Sequence, residues 1–165
     1  GLDAGRQIAS SPVIGIGEAA YHAAALIANR FTVITTLARS IPALEHNLLK
    51  YGFERRAGIR AAEVPVLALE DENSDARAKI DAEIARALAQ DRAEAIVLGC
   101  AGMAKLARDL SIKHGCPVID GVGTAVKLAE MLVSLGLKTS KLGGYETGTP
   151  KTITGPLATL IRDDA

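Results

Sequence analysis

Cys100 lies in the short turn "GCAG", between an apolar run that ends at Gly99 and a helix-like pattern that begins directly afterwards. A thiol in a strand-to-helix turn lies beside unpaired backbone N–H groups and the positive end of the helix dipole, and both favour the thiolate. The N–H groups of Ala101 and Gly102 are placed to hold a carboxylate or an oxyanion, and the glycines allow close approach of a ligand. The same residues also fit a small buried apolar side chain, because free cysteine is among the most buried residue types.

Other side chains with chemical potential are scattered along the chain. Thr35 and Thr36 end an apolar run, where a hydroxyl can bond a substrate oxygen or cap a helix. Cys116 precedes an apolar run, at the opposite end from such a turn, so we expect an inert thiol. Glu18 fits a dipole partner in a first helical turn, and His46 fits a surface or core position in an amphipathic helix.

Two glycine-rich turns invite a cofactor interpretation that the neighbouring residues do not support. "VIGIGEAA" matches G-x-G-x-x-A, but the next apolar run ends in threonines, where a dinucleotide site needs an acidic residue. "DGVGTA" lacks the third small residue. Phosphate-loop, zinc-protease and serine-hydrolase motifs do not occur, and no histidine and cysteine share a metal-ligand spacing. The motifs therefore argue against a dinucleotide cofactor, a phosphate loop and a zinc site.

Short apolar runs alternate with amphipathic stretches along the chain. The runs predict strands at residues 12–16, 31–35, 64–69, 95–99 and 117–119. They are apolar at nearly every position, which is typical of a parallel sheet with helices on both faces, and so predicts an α/β fold. Helices are predicted after Ser40, after Ser74 and Asp75, after the Cys100 turn and after Thr124, with Ser40 and Thr124 as caps. Stops are predicted at Gly52 and Gly136.

Composition narrows the classes of function. The chain has 165 residues, enough for one domain with a core, and its 19 basic and 19 acidic residues give zero formal charge. This balance and an aromatic content of 3% argue against nucleic-acid binding, and no apolar run is long enough for a membrane span. Two cysteines are too few for a disulfide framework, so we expect a cytoplasmic protein with reduced thiols.

The motifs "IVLGCAGMAKLA", "CPVIDGV" and "TAVKLAEMLV", with "GLDAGRQIASSPVIGIGEAAYHAAALIANRF" at the front, resemble the hydantoin and allantoin racemase branch of the aspartate/glutamate/hydantoin racemase superfamily. The resemblance covers essentially the whole chain. It implies two pseudo-symmetric α/β subdomains with the substrate between them, and a cysteine from each subdomain acting on opposite faces of an acidic C–H. It also implies that no metal, pyridoxal phosphate or other cofactor takes part.

Cys100 matches the cysteine of the second subdomain in this resemblance, and so becomes the expected catalytic residue. The implied small-molecule substrate is a 5-substituted hydantoin or allantoin, whose acidic carbon lies next to a carbonyl, so its deprotonation gives an enolate-like anion. The residues expected to contact the substrate are Thr35, Thr36, Gly99, Ala101 and Gly102.

The first cysteine of such relatives lies just upstream of the segment that resembles "GLDAGR", which begins at residue 1 here, and Cys116 does not match it. We therefore expect an incomplete first subdomain, formed by residues 1–29 and 120–165, and a second subdomain at residues 30–119. An incomplete subdomain would expose sheet edges and apolar helix faces, and we therefore expect the chain to form a homo-oligomer. With one matching cysteine, the chain alone is expected to racemise far more slowly than its relatives.

Two alternatives remain open at this point. Arylmalonate decarboxylases resemble the same fold and protonate an enolate with one cysteine in a similar turn. A truncated, non-catalytic subunit or a metabolite-binding domain would also fit. The glycine-rich segment 138–155 is either a functional flap, with Tyr145 as a lid over the site, or a tail.

Overall fold

The computed structural model describes residues 1–71, 73–148 and 154–155 of the chain. The helices are α1 (Leu2–Ile8), α2 (Ile16–Ile27), α3 (Ile41–Tyr51), α4 (Ala76–Gln90), α5 (Ala107–His114) and α6 (Gly121–Ser134). The strands are β1 (Phe31–Thr35), β2 (Ala57–Ala61), β3 (Ala95–Leu98) and β4 (Val118–Asp120). Short 3₁₀ turns lie at Ala38–Ser40, Val66–Leu69, Ala101–Leu106 and Gly143–Tyr145.

The four strands form one parallel sheet in the order β2-β1-β3-β4, so β1 and β3 lie at its centre. Every residue of these two strands is buried. On one face, Ile34 and Ile96 pack with the apolar residues of α4 and α5. On the other face, Phe31 and Val33 pack with residues of α2 and α3. The α/β fold with helices on both faces of a parallel sheet is confirmed.

The prediction of a strand at residues 64–69 is wrong. Val66–Leu69 is a 3₁₀ turn, and Leu67 is 83% exposed. Pro65 stands at the start of this run and has no N–H to donate to a sheet. The edge strand is instead the mixed sequence Ala57–Ala61, in which Gly58 lies against Thr32 and Arg60 pairs with Asp91.

The prediction of a strand at residues 12–16 is also wrong. Residues 12–15 belong to no sheet among the described residues, and Ile16 already begins α2. Hydrogen bonds from other parts of the chain hold residues 10–15 in place instead. Arg6 Nε donates to the carbonyl of Val13 (3.0 Å), and the Thr139 backbone N–H donates to the carbonyl of Ser10 (2.9 Å). The apolar pattern here therefore reflects burial beside α1.

Helix ends differ from the predicted ones in two places. Ser40 makes no side-chain cap bond, because the 3₁₀ turn Ala38–Ser40 leads into α3. Thr124 lies inside α6, and the cap is Asp120, whose Oδ1 accepts a hydrogen bond from the N–H of Gly123 at 2.7 Å. Gly52 ends α3 with φ +78°, as predicted.

No helix in the described part of the chain is both long and apolar enough to cross a bilayer.

An ion pair fixes the edge strand to α4. Arg60 donates two hydrogen bonds of 2.7 Å to the Asp91 carboxylate, which also accepts a bond from the buried Thr32 hydroxyl (3.2 Å). The bonds from Arg60 lower the pKa of Asp91 below its usual value. A carboxylate with a lowered pKa in the folded state adds stability above its unfolded pKa, and this stability is lost as the pH falls through the folded pKa.

We expect Asp91→Asn to lower the free energy of unfolding at pH 7 by about 1–3 kcal/mol, because a charge-assisted bidentate pair is lost. The variant should also lose less stability than the native chain when the pH falls below about 4. Urea unfolding at several pH values measures both effects. Asp75→Asn, in the exposed pair with Lys79 (2.9 Å), is the matched control and should change little. Parallel pH profiles for the native chain and Asp91→Asn would contradict this role.

Candidate active site

Cys100 follows β3 directly, at the carboxyl edge of the sheet. Its backbone is extended (φ −138°, ψ 131°), and its carbonyl accepts the N–H of Met103 at 3.0 Å, which closes the first turn of Ala101–Leu106. The N–H groups of Ala101 and Gly102 donate to no described residue. The turn after Cys100 is a 3₁₀ turn, and α5 begins only at Ala107, later than the sequence pattern predicts. The thiol therefore lies beside two free donors.

A cavity of about 160 Å³ adjoins Cys100. Its walls come from the N-terminal turn of α2, the α3 helix, the carboxyl end of β3 with its following turn, and the N-terminal turn of α6. The lining residues are Ile16, Gly17, Tyr21, Leu44, Asn47, Val97, Leu98, Gly99, Cys100, Ala101, Gly121 and Val122. The amino ends of α2, α6 and the Ala101–Leu106 turn all meet this cavity, so their backbone dipoles favour a negatively charged group there.

Gly121 holds two of these helix ends together. A Cβ at Gly121 would lie only 2.5 Å from the carbonyl oxygen of Ile16 and 3.0 Å from its carbonyl carbon. The first turns of α2 and α6 are therefore in direct backbone contact, which only glycine permits. Asp120, the cap of α6, fixes the same turn.

Gly99 is also constrained by packing. A Cβ at Gly99 would lie 2.9 Å from Cγ1 of Val33 and 3.2 Å from the carbonyl oxygen of Ile34, so β1 occupies the space on that side. Gly99 lines the cavity as well. It therefore lets the backbone before Cys100 approach β1 closely.

Thr35 and Thr36 are buried, at 1% and 5% exposure, and neither belongs to the cavity lining. Their carbonyls accept hydrogen bonds from Ala62 (2.9 Å) and Val64 (2.8 Å). Thr35 lies behind Gly99, with its Cβ 3.4 Å from the position that a Cβ of Gly99 would take. A contact between these hydroxyls and a substrate stays a prediction.

Gly102 lies on the other side of the Cys100 turn. The position of a Cβ at Gly102 is 3.8 Å from the Cys100 Sγ and 3.1 Å from Cδ1 of Leu69. Gly102 lines a second cavity, of about 830 Å³, beneath the Val66–Leu69 turn, and Ala101 borders both cavities. The Cys100 turn therefore separates two spaces.

The remaining candidates lie away from the cavity at Cys100. Cys116 precedes β4, at the opposite edge of the sheet, and burial raises the pKa of its thiol. Glu18 forms an ion pair with Arg6 at 2.6 Å, and His46 is exposed on α3. The Tyr145 ring packs on Arg6 rather than on the cavity. In the described ranges, no group of three His, Cys, Asp or Glu residues is arranged to hold a metal ion.

Sequence reasoning missed most of the facing wall, which includes Tyr21, Leu44 and Asn47. One signal was present: the "GIGEAA" turn, considered as a dinucleotide fingerprint, supplies Ile16 and Gly17. The spacing along the chain gives no indication that α3 closes the cavity.

The fold and the site define an α/β protein that presents a cysteine, at the carboxyl edge of a central strand, to a cavity ringed by helix amino ends. The Asp/Glu/Hydantoin racemase family matches residues 1–129, and the chain belongs to this family.

Relatives of established name agree with this assignment. The chain is 51% identical over 146 residues to a hydantoin racemase of Rhizobium meliloti, covering 88% of this chain and 61% of that protein. It is 42% identical to a hydantoin racemase of Pseudomonas sp. (strain NS671), covering 99% of this chain and 66% of that protein. An allantoin racemase structure from Klebsiella pneumoniae superposes with a TM-score of 0.89 at 46% identity, covering 96% of this chain and 65% of that one. The chain thus spans about two thirds or less of the length of these relatives.

We expect Gly121→Ala to lower the free energy of unfolding by about 1–3 kcal/mol, because the new methyl group must push the amino ends of α2 and α6 apart. Thermal unfolding measures the loss. Gly144→Ala is the matched control, since nothing lies within 4 Å of the added Cβ there. Equal melting temperatures for the two variants would show that the contact between α2 and α6 is loose.

Proposed function

We propose that the chain carries one of the two proton-transfer groups of a cofactor-independent racemase, with Cys100 as that group. The substrate class is a small cyclic amide of the hydantoin or allantoin type. The observation that carries the proposal is the position of Cys100 on a cavity ringed by helix amino ends, in a chain 51% identical to a hydantoin racemase. Reducing conditions suit a reactive thiol, so we place the protein in the cytoplasm.

The chemistry follows from the groups at the cavity. The thiolate of Cys100 takes the proton from the ring carbon next to the carbonyl, and the C–H electron pair moves into an enolate. The negative charge then rests on the carbonyl oxygen, where the free N–H groups of Ala101 and Gly102 can stabilise it. The cavity of about 160 Å³ is smaller than the 300–1,000 Å³ usual for drug-sized ligands, as expected for a small ring.

Inversion needs a second acid on the opposite face of the ring. Among the described residues, Cys100 is the only cysteine on the cavity, because Cys116 lies at the other edge of the sheet. In the proposed two-cysteine mechanism, a second thiol outside the residues that line this cavity donates a proton to the enolate carbon. Cys100 alone can only remove and return a proton on one face.

We further propose that residues 1–29 and 120–165 belong to one subdomain and residues 30–119 to the other. Lys141 Nζ donates to the carbonyls of Arg6 (2.8 Å) and Gln7 (2.7 Å), which ties the two ends of the first group together. The contact between Ile16 and Gly121 joins α2 to α6. Since α2 also packs on the sheet, it forms the boundary between the two units. Residues 149–153 and 156–165 lie outside the described part of the chain.

Exposed apolar side chains support a homo-oligomer as the working assembly. On α6, Val126 is 52% exposed and Val133 is 60% exposed, and both lie on the same side of the helix as Val122. A second copy of the chain would bury such a stripe.

A proton-exchange assay tests the catalytic role of Cys100. In D₂O, the chain should replace the C5 hydrogen of one enantiomer of a 5-substituted hydantoin with deuterium, with retention and with little inversion. Proton NMR follows the exchange, and chiral chromatography follows the inversion. Cys100→Ser should abolish exchange above the buffer rate, a loss of about 100-fold or more. Cys116→Ser is the matched control and should exchange at the native rate.

Two results would contradict the proposal. Equal exchange by the native chain and by Cys100→Ser would remove Cys100 from the chemistry. Fast racemisation abolished by Cys100→Ser would show that a second acid already faces the ring, against the one-sided arrangement described here.

Thiol reactivity gives an independent test. We expect iodoacetamide at pH 7 to alkylate Cys100 at least several-fold faster than Cys116, because Cys100 faces a cavity and burial raises the pKa of Cys116. Peptide mass spectrometry measures both rates in one sample. A saturating hydantoin should slow the reaction at Cys100 alone. Equal rates at the two thiols would favour a packing role for Cys100.

The single thiol on the cavity also suits a decarboxylase of the arylmalonate type, in which one cysteine protonates the enolate left by loss of CO₂. Release of CO₂ from a phenylmalonate, dependent on Cys100, would favour this second function.

A further inference from the structure

Tyr21 is a buried titratable residue that the proposed proton transfer does not use. It lies on α2 and is 1% exposed. Its ring stacks on Phe31 (centroids 6.0 Å apart) and meets Phe53 edge to face (6.4 Å). The aromatic cluster therefore fixes the ring, and with it the direction of the hydroxyl.

The hydroxyl end of Tyr21 lies near the amino end of α2. A Cβ at Gly17 would lie 3.5 Å from the Tyr21 Oη, and both residues line the Cys100 cavity. The hydroxyl makes no hydrogen bond with any described residue, although every fully enclosed side-chain N or O atom in the described ranges has a partner. The Oη therefore has a hydrogen bond left to donate, and the cavity that Tyr21 and Gly17 line is where a ligand can accept it.

The protonation state of Tyr21 suits a donor. Burial, with the neighbouring Tyr51, raises the pKa of Tyr21 to about 12, so the phenol is neutral at physiological pH. A neutral phenol donates a hydrogen bond that strengthens as the accepting oxygen gains negative charge. Leu44 and Val97 on the cavity wall have no donor or acceptor in their side chains, whereas Asn47 on the same wall carries an amide group.

We propose that the Tyr21 hydroxyl donates a hydrogen bond to the carbonyl oxygen of the cyclic amide bound at Cys100, and so orients the ring with its acidic carbon toward the thiol. The proposal deepens the function proposed above and rests on it. In this arrangement, Cys100 moves the proton while Tyr21 binds the oxygen that becomes the enolate oxygen.

Tyr21→Phe tests this role because it removes the hydroxyl and keeps the ring in the aromatic cluster. We expect kcat/KM for Cys100-dependent exchange to fall by about 10- to 100-fold, the usual effect of losing one donor to a charged oxygen. The melting temperature should change little. Tyr51→Phe is the matched control, because Tyr51 packs near Tyr21 but lies outside the Cys100 cavity. Loss of the Tyr51 hydroxyl should leave exchange within twofold of the native rate.

Comparing the binding of two ligands tests the same hydrogen bond without a catalysed reaction. Isothermal titration of hydantoin and 4-thiohydantoin, in which sulfur replaces the carbonyl oxygen next to C5, should show preference for oxygen in the native chain and in Tyr51→Phe. Sulfur accepts hydrogen bonds poorly, so Tyr21→Phe should weaken that preference, while the N–H groups of Ala101 and Gly102 keep the remainder.

The outcomes separate the two proposals. Native exchange and native oxygen preference in Tyr21→Phe would overturn the role of Tyr21 and leave Cys100 in place. An oxygen preference that depends on Tyr21, without Cys100-dependent exchange, would support the Tyr21 contact and overturn the catalytic role of Cys100. Failure of the native chain to bind hydantoin would overturn both.

Discussion

The backbone contact between Ile16 and Gly121 is the constraint on which the site depends. With 2.5 Å between the Ile16 carbonyl oxygen and the position of a Cβ at Gly121, the first turns of α2 and α6 are so close that only glycine fits there. This contact brings two helix amino ends to the carboxyl edge of the sheet, where β3 presents Cys100. A larger residue at position 121 would push the amino ends of α2 and α6 apart.

Electrostatics in this cavity come from the main chain. Among its lining residues, Cys100 and Tyr21 are the only ones with a titratable side chain. No described lining side chain is cationic, so the attraction for an anion comes from backbone N–H groups and helix dipoles, together with the polar hydrogens of Tyr21 and Asn47. The backbone groups are fixed by the fold and need no reorientation when charge develops. The ionised side chains lie outside: Arg6 pairs with Glu18 and Arg60 with Asp91. A chain of zero formal charge can thus still present a local site for negative charge.

Features that depend on a short stretch of chain could be predicted from the sequence. These are the two central strands and the turn that carries Cys100. β1 and β3 are buried on both faces, so their continuous apolar runs are unambiguous. The end of β3 places the thiol at the carboxyl edge of the sheet, because parallel strands share their carboxyl edge. The edge strand β2 was not predicted, because it contains no apolar run. Its Gly58 lies against Thr32, and its Arg60 pairs with Asp91. The far wall of the cavity depends on the packing of α2 and α3, which no local pattern encodes.

The size of the cavity follows from the composition of α2. Its buried residues are small (Ala19, Ala20 and Ala24) except for Tyr21, and Ala20 and Ala24 let the helix lie close to β3. Close packing of the alanines leaves little space at the carboxyl edge, and the Tyr21 ring occupies part of what remains. The resulting space of about 160 Å³, with a thiol on the β3 wall and a phenol on the α2 wall, matches the size of a small flat ring. Any large substituent on that ring must point out of this space, and the second cavity beside Ala101 and Gly102 lies on the other side of the Cys100 turn. The packing of α2 thus sets the size of the space beside the thiol, and the backbone donors set the sign of charge that this space favours.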